Sequence, residues 1–187
     1  MKIECIEKSV QLLKEKGILF ESGLTENERK EIESKFDFPF PPDLKLFLQT
    51  GLPVSHNGVN WRAALKDDSI VLDRLNWPLE GLLFDVEHNN IWLDEWGVKP
   101  KKLDDQFELV SKHFKNYPRL IPLFSHRYLP SQPCEADNPV FSVYQTDIIY
   151  YGYNLLSYFK SEFDIKTPED CEIPEEPKSI HFWSMWT

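Results

Sequence analysis

The chain has 187 residues with 41% hydrophobic and 14% aromatic content, enough for one domain with a sizeable core. Lys and Arg number 21 against 31 Asp and Glu, a formal net charge of −10, which argues against a phosphate backbone as the main partner and for fast association with a basic one. Only 7 Gly stand beside 14 Pro, so connections are rigid and a glycine-rich phosphate cradle is not expected.

The start, MKIECIEKSVQLLKEKG, carries a charge every few residues and lacks the apolar run of a signal peptide. No window approaches the roughly 18 apolar residues of a membrane span. Cys5, Cys134 and Cys171 are far apart, odd in number and form no CxxC pair. That usage fits a reducing cytoplasm better than a disulfide framework.

Along the chain, Cys5, Ile6, Val10 and Leu13 fall at helical spacing within 4–16, and Gly17 stops the pattern. Thr25 followed by Glu28 predicts a capping box that starts a helix running to about Phe36. The run FDFPFPPDL (36–44) breaks it, and Leu44, Phe47 and Leu48 predict a short helix ending near Gly51. From about 68, SIVLDRL, GLLFDV, NPVFSVY and DIIYYG read as strands because they combine β-branched and aromatic residues. Leu103, Phe107, Val110 and Phe114 share one stripe of a helix that closes before Pro118, and a further helix opens at Asn154. Helices and strands in this order predict an α+β fold, a mostly antiparallel sheet with helices packed around it.

The last part changes character. Residues 162–178 hold seven acids, two lysines and three prolines, which suits a mobile or surface-running segment. The end, IHFWSMWT, is too apolar to be left in water, so Phe182, Trp183 and Trp186 are expected to pack on the domain or a second copy, or to anchor a partner. The expected division is an N-terminal helical extension (1–23), an α+β domain (24–163) and an acidic linker with aromatic tail (164–187).

Candidate chemistry concentrates at LIPLFSHRYLPSQPCEADN (120–138). His126 lies near Ser125, Ser131 and Asp137, but no GxSxG elbow is present, and Cys134 lacks a nucleophile signature. The five histidines form no HxH, HxxxH or HExxH pair. Asp85, Glu87 and His88 offer carboxylate and imidazole close together; on a strand, Asp85 and Glu87 would share a face. With no paired ligand motif, these residues read first as a solvated or hydrogen-bonded rim, with a metal site as the alternative. Trp92 and Trp96 are four apart and share a face on a helical turn, as core or as a binding rim, and Trp61 and Trp77 read the same way.

The blocks GLLFDVEHNNIWLDEWGVKP (81–100) and YPRLIPLFSHRYLPSQPCEADNPVFSVYQTDIIYYGYNLLSYFKSEF (117–163) resemble the C-terminal half of the SUKH superfamily. The front, LTENERKEIESKFDFPFPPDLKLFLQTG (24–51), is similar to its N-terminal helices, with Thr50-Gly51-Leu52 where the family carries Asn-Gly-Gly. The superfamily includes bacterial immunity proteins of polymorphic toxin systems and Smi/Knr-type cell-wall regulators. The resemblance implies an α+β domain without catalysis, cofactor or metal, bound to a protein partner. That partner would be a toxin domain or, alternatively, a partner in intracellular regulation; the acidic charge of the chain would suit a basic, nuclease-like toxin. On this reading Ile121 to Phe124 enter the sheet and His126 to Asn138 form a loop pinned by Pro130, Pro133 and Pro139. Asp85, Glu87, His88, Trp92, His126, Arg127, Tyr128, Glu135 and Asp137 are the candidate partner-binding residues. Arg127 reads equally as an internal clamp on an acid or a carbonyl.

Overall fold

The computed structural model describes residues 2–55 and 57–187; His56 lies outside the described residues. The elements in order are α1 (Ile3–Glu15), β1 (Phe20–Glu21), α2 (Glu26–Phe36), α3 (Pro42–Thr50), β2 (Leu52–Pro53), α4 (Trp61–Lys66), α5 (Ser69–His88), α6 (Leu103–Phe114), β3 (Leu120–Pro122), β4 (Arg127–Pro130), β5 (Val140–Tyr144), β6 (Asp147–Gly152) and α7 (Leu155–Phe163). Short 3-10 turns occupy Asp94–Trp96 and Trp183–Met185. The fold is α+β. Strands β3-β4-β5-β6 form an antiparallel meander, and β1 pairs with β2 in a second, two-stranded antiparallel sheet.

Local chemistry explains where the helices start. The Thr25 side chain accepts from the Glu28 amide at 3.2 Å, and Glu28 Oε2 accepts from the Thr25 amide at 2.7 Å, completing the predicted capping box. Pro42 opens α3, where its missing N–H costs nothing. The Asn154 side chain accepts from the Ser157 amide at 3.0 Å and caps α7. Phe36 at the end of α2 and Phe38 and Phe40 in the run that follows all gather around Trp61. Their ring centroids lie 5.5–5.8 Å from that of Trp61, each edge to face.

The four-stranded sheet carries a core cluster on each face, and the period of two along each strand sorts its side chains. Ile121, Leu129 and Val140 face a core built with Ile6, Leu13, Ile32, Phe47 and Phe159 of the surrounding helices. Leu120, Tyr128, Phe141 and Val143 face a second cluster with Leu82, Val86, Val110, Ile180 and Trp183. Helix α1 therefore contributes Ile6, Val10 and Leu13 to the central packing.

Four expectations are corrected. SIVLDRL and GLLFDV are not strands; both belong to the single helix α5, which runs through Pro78. Its buried positions, Val71, Pro78, Leu82, Asp85 and Val86, fall on one helical face at separations of seven, four and three residues with one adjacent pair, and that period outweighs local β propensity. Gly81 lets α5 approach the β5–β6 turn: a Cβ there would sit 2.8 Å from Gln145 Cα. Asp85 and Glu87 accordingly share no strand face; on α5 one is buried and the other exposed. His126 to Asn138 is not one loop, since Arg127–Pro130 is strand β4 and pairs with both neighbours. Finally, Cys5 and Cys171 form a disulfide across 166 residues, although their separation in sequence suggested no bridge. It joins α1 to the acidic segment, which runs over the surface with Ile165 and Pro168 buried. Spatial closeness decides whether a bridge forms, and sequence spacing does not show it.

The C-terminal aromatic segment packs on the domain. Phe182 stacks on Tyr117 with ring centroids 3.8 Å apart, and Trp183 meets Phe114 edge to face at 5.9 Å. Among the described residues, no helix is long and apolar enough to cross a membrane.

Candidate functional site

Helix α5 buries one stripe and leaves another uncovered. Ile70, Trp77 and Phe84 are 46%, 39% and 44% exposed and lie seven residues apart. Seven residues return an α-helix to within about 20° of its starting direction, so these three side chains form one line roughly 21 Å long. Tyr144, at the end of β5, extends the line sideways: it is 57% exposed and its ring centroid is 6.1 Å from that of Trp77. Asp73, Glu80 and Glu87 lie exposed on the same helix. The result is an apolar, aromatic strip with acidic edges.

Beside the strip, α5 and the sheet enclose a cleft of about 410 Å³, lined by Asn57, Asp73, Arg74, Trp77, Ser125, His126, Tyr128 and Tyr144. Trp77 donates its indole N–H to the Val143 carbonyl at 3.1 Å, which fixes its ring plane. Tyr128 donates its hydroxyl to the Arg74 carbonyl at 2.9 Å, and burial drives its pKa far above the ordinary tyrosine value. The His126 imidazole is held below its ordinary pKa by burial and by the neighbouring Arg127 cation. Its Nδ1 lies 3.2 Å from Ser125 Oγ, while Nε2 meets the Arg127 guanidinium. A triad base is oriented by a carboxylate, and here a cation occupies that place.

The sequence-predicted site residues divide between this surface and the interior. Asp85 is 2% exposed; it accepts from the Thr146 amide at 2.8 Å, the Thr146 hydroxyl at 2.7 Å and Asn89 Nδ2 at 2.5 Å. It fastens α5 to the β5–β6 turn and presents nothing to a partner. Glu87 and His88 are exposed, 3.6 Å apart, and the His88 ring rests 4.4 Å from that of Phe84. They belong to the end of the α5 strip. Trp92 is half-buried: its indole donates to the Gly97 carbonyl at 2.8 Å, and its ring meets Trp96 edge to face at 5.3 Å. No groups of three or more His, Cys, Asp or Glu able to hold a metal ion occur among the described residues.

The HRY run is an internal fastener. Arg127 Nε donates to Glu162 at 2.8 Å and its Nη1 to Ser142 Oγ at 2.8 Å, while the guanidinium stacks 3.7 Å from the Tyr151 ring centroid. Tyr128 reaches the cleft only as its floor. The following loop is also tied down. Asn138 donates to the Pro133 carbonyl at 2.7 Å, and the Asp137 amide donates to the buried Asp43 at 2.9 Å. The Asp137 side chain accepts from Asn154 at 2.9 Å. Burial raises the Asp43 pKa despite its backbone donors. Glu135 is exposed and pairs with Lys178 at 3.1 Å.

Trp77 reads in the sequence as core or binding rim, and nothing local to Tyr144 marks it as a site residue. Ile70 and Phe84 were hidden by the strand reading, because an apolar position every seven residues is a signal only on a helix. Comparison of the chain with protein-family models, with curated proteins and with solved structures found no match.

Proposed function

We propose that the chain is a non-catalytic protein-binding domain of the immunity type, which neutralises a basic, nuclease-like toxin domain by direct contact. The observation that carries this reading is the α5 strip of Ile70, Trp77, Phe84 and Tyr144 with Asp73, Glu80 and Glu87 beside it. Isolated exposed apolar residues need no explanation, but a contiguous set with three large aromatics has the composition of an interface centre. The acids on the strip and the net charge of −10 favour encounter with a basic surface. The SUKH-like blocks at 24–51, 81–100 and 117–163 supply the immunity assignment.

The test is inhibition of a basic, nuclease-like toxin domain, sought first in the genes adjoining that of this chain and measured with the purified proteins. Wild-type protein is expected to form a complex and abolish toxin activity. Trp77→Ala and Tyr144→Ala should each weaken binding by about tenfold or more, since aromatic anchors at an interface centre typically contribute over ~1.4 kcal/mol. Reversing Asp73 and Glu80 to Lys should slow association and flatten its salt dependence. Full affinity in all three variants would reject this surface, and absence of any complex would reject the immunity reading.

A further inference from the structure

We infer that the cleft between α5 and the sheet binds a small aromatic monocarboxylate, with Arg74 receiving the carboxylate and Trp77 and Tyr144 receiving the ring. The inference shares Trp77, Tyr144 and Asp73 with the proposed protein-binding strip, but it is tested with a small probe in the absence of any partner protein, so the two readings can fail separately.

Charge is the first argument. Arg29, Arg62 and Arg127 each sit on a carboxylate partner. Among the described residues Arg74 has none, and neither does Arg119, whose Nη1 donates to the Phe36 carbonyl at 2.6 Å; of these two, Arg74 is the one that lines this cleft. It is half-buried and makes a single hydrogen bond, from Nη1 to the Asn57 carbonyl at 2.6 Å. A guanidinium has five N–H donors in a planar fork matched to a carboxylate. Tying the turn at Asn57 to α5 uses one of them. Burial already penalises this cation and lowers its pKa, so an anion arriving in the cleft would meet a charge that water solvates poorly.

Shape and chemistry of the walls give the ligand class. Trp77 and Tyr144 meet at an interplanar angle of 58°, forming a corner of two ring faces. A ligand ring can stack on one face and meet the other by its edge. The indole N–H and the Tyr128 hydroxyl are spent on the Val143 and Arg74 carbonyls, so the walls are fixed and largely apolar before anything binds. A volume of about 410 Å³ suits a ligand of one or two rings. Burial and the neighbouring Arg127 hold the His126 pKa below its ordinary value, which disfavours a second positive charge here, and the Asp73 carboxylate also lines the cleft. One cation with one nearby acid favours a single carboxylate over a dianion.

The probe is 1-naphthoate, with the neutral 1-naphthamide as its isostere. Binding is followed by the indole N–H cross-peaks of the full chain, assigned by Trp77→Phe. Titration with 1-naphthoate should shift the Trp77 peak saturably below about 10 mM, and 1-naphthamide should bind about tenfold more weakly, the typical worth of a charged hydrogen-bonded contact. Arg74→Gln should remove that preference while leaving amide binding unchanged, and Arg74→Lys should restore part of it. The amide titration also verifies that the variant cleft is intact. If Arg74→Gln does not fold, Tyr144→Ser, at an exposed rim position, should weaken both probes equally. Equal affinity for acid and amide in the wild type, a preference that survives Arg74→Gln, unchanged binding in Tyr144→Ser, or no saturable shift of Trp77 would each overturn the inference.

Discussion

Arg127 on β4 donates to Glu162 on α7 across 2.8 Å, with side chains only 11% and 24% exposed. The pair ties the sheet to the last helix, and Tyr151 stacks against the guanidinium. Arg127→Ala should cost about 2–4 kcal/mol in urea unfolding, somewhat below the fully buried limit because Glu162 keeps some water contact. Arg127→Lys keeps the charge but loses the fork and the stack, so it should recover no more than about half. A double-mutant cycle with Glu162→Gln checks the pairing: a coupling energy near zero would mean that Arg127 acts through packing alone.

Much of the fold could be read from short-range signals. The Thr25–Glu28 box, the stripe on α6, the Pro41-Pro42 break and the β-branched and aromatic run NPVFSVY each depend on neighbours within a few residues. What failed depends on distance. The helical period of α5 emerges only when Val71, Pro78, Leu82 and Val86 are read together, across a proline that usually ends a helix. Asp85 looked like a surface carboxylate because its partner Thr146 is 61 residues away. The tie from Arg127 to Glu162 spans 35 residues, so an internal and an external role were equally legible. Trp77 and Tyr144 meet only through the α5–β5 packing, which puts the strip and the cleft beyond local reading.

The Cys5–Cys171 disulfide closes nearly the whole chain into a loop. Chain-entropy arguments give an upper figure of about 5 kcal/mol for a loop this long, and measured values typically fall at about 2–4 kcal/mol. Replacing both cysteines by Ser should therefore lower Tm by roughly 5–15 °C. Dithiothreitol should lower the wild-type Tm similarly and leave the double variant unchanged. Thiol titration of the unfolded, unreduced protein should count Cys134 alone, because it is the free cysteine.

Stability at acid pH should depend on Glu28. Its hydrogen bonds from the Arg62 side chain and the Thr25 amide hold the carboxyl at about 2, down from 4.5. A depressed folded-state value means the stabilisation is fully present above 4.5 and is lost as pH falls toward 2. Glu26, lowered to about 2 mainly by Arg29, acts in the same window. Glu28→Gln keeps a side chain that can complete the capping box but gives up the charged contact with Arg62. The urea midpoint of this variant should fall less steeply between pH 4.5 and 2 than that of the wild type, with a residual slope from Glu26. Identical slopes would mean that Glu28 has the same affinity for protons in the folded and unfolded chains.

The C-terminal segment should act as part of the second core and not as a free anchor. Ile180, Phe182 and Trp183 are buried there, and the Trp183 indole donates to the Pro118 carbonyl at 2.7 Å. Tyr150 on β6 donates to Ser184 at 2.6 Å, so the segment is held to the sheet by polar contacts as well as rings. Phe182 adopts φ 67 with ψ −52, a γ-turn conformation that a bulky residue takes only when its surroundings hold it. Its stacking on Tyr117 supplies that hold. Trp183→Ala should cost about 3–5 kcal/mol, the usual loss for removing a large buried ring. Deleting 179–187 should cost at least as much and expose Leu120 and Tyr117 to a hydrophobic dye. Thermal unfolding of the isolated chain is the measurement. An unchanged Tm in either variant would show that the segment contributes nothing to the fold and would return it to the role of a partner anchor.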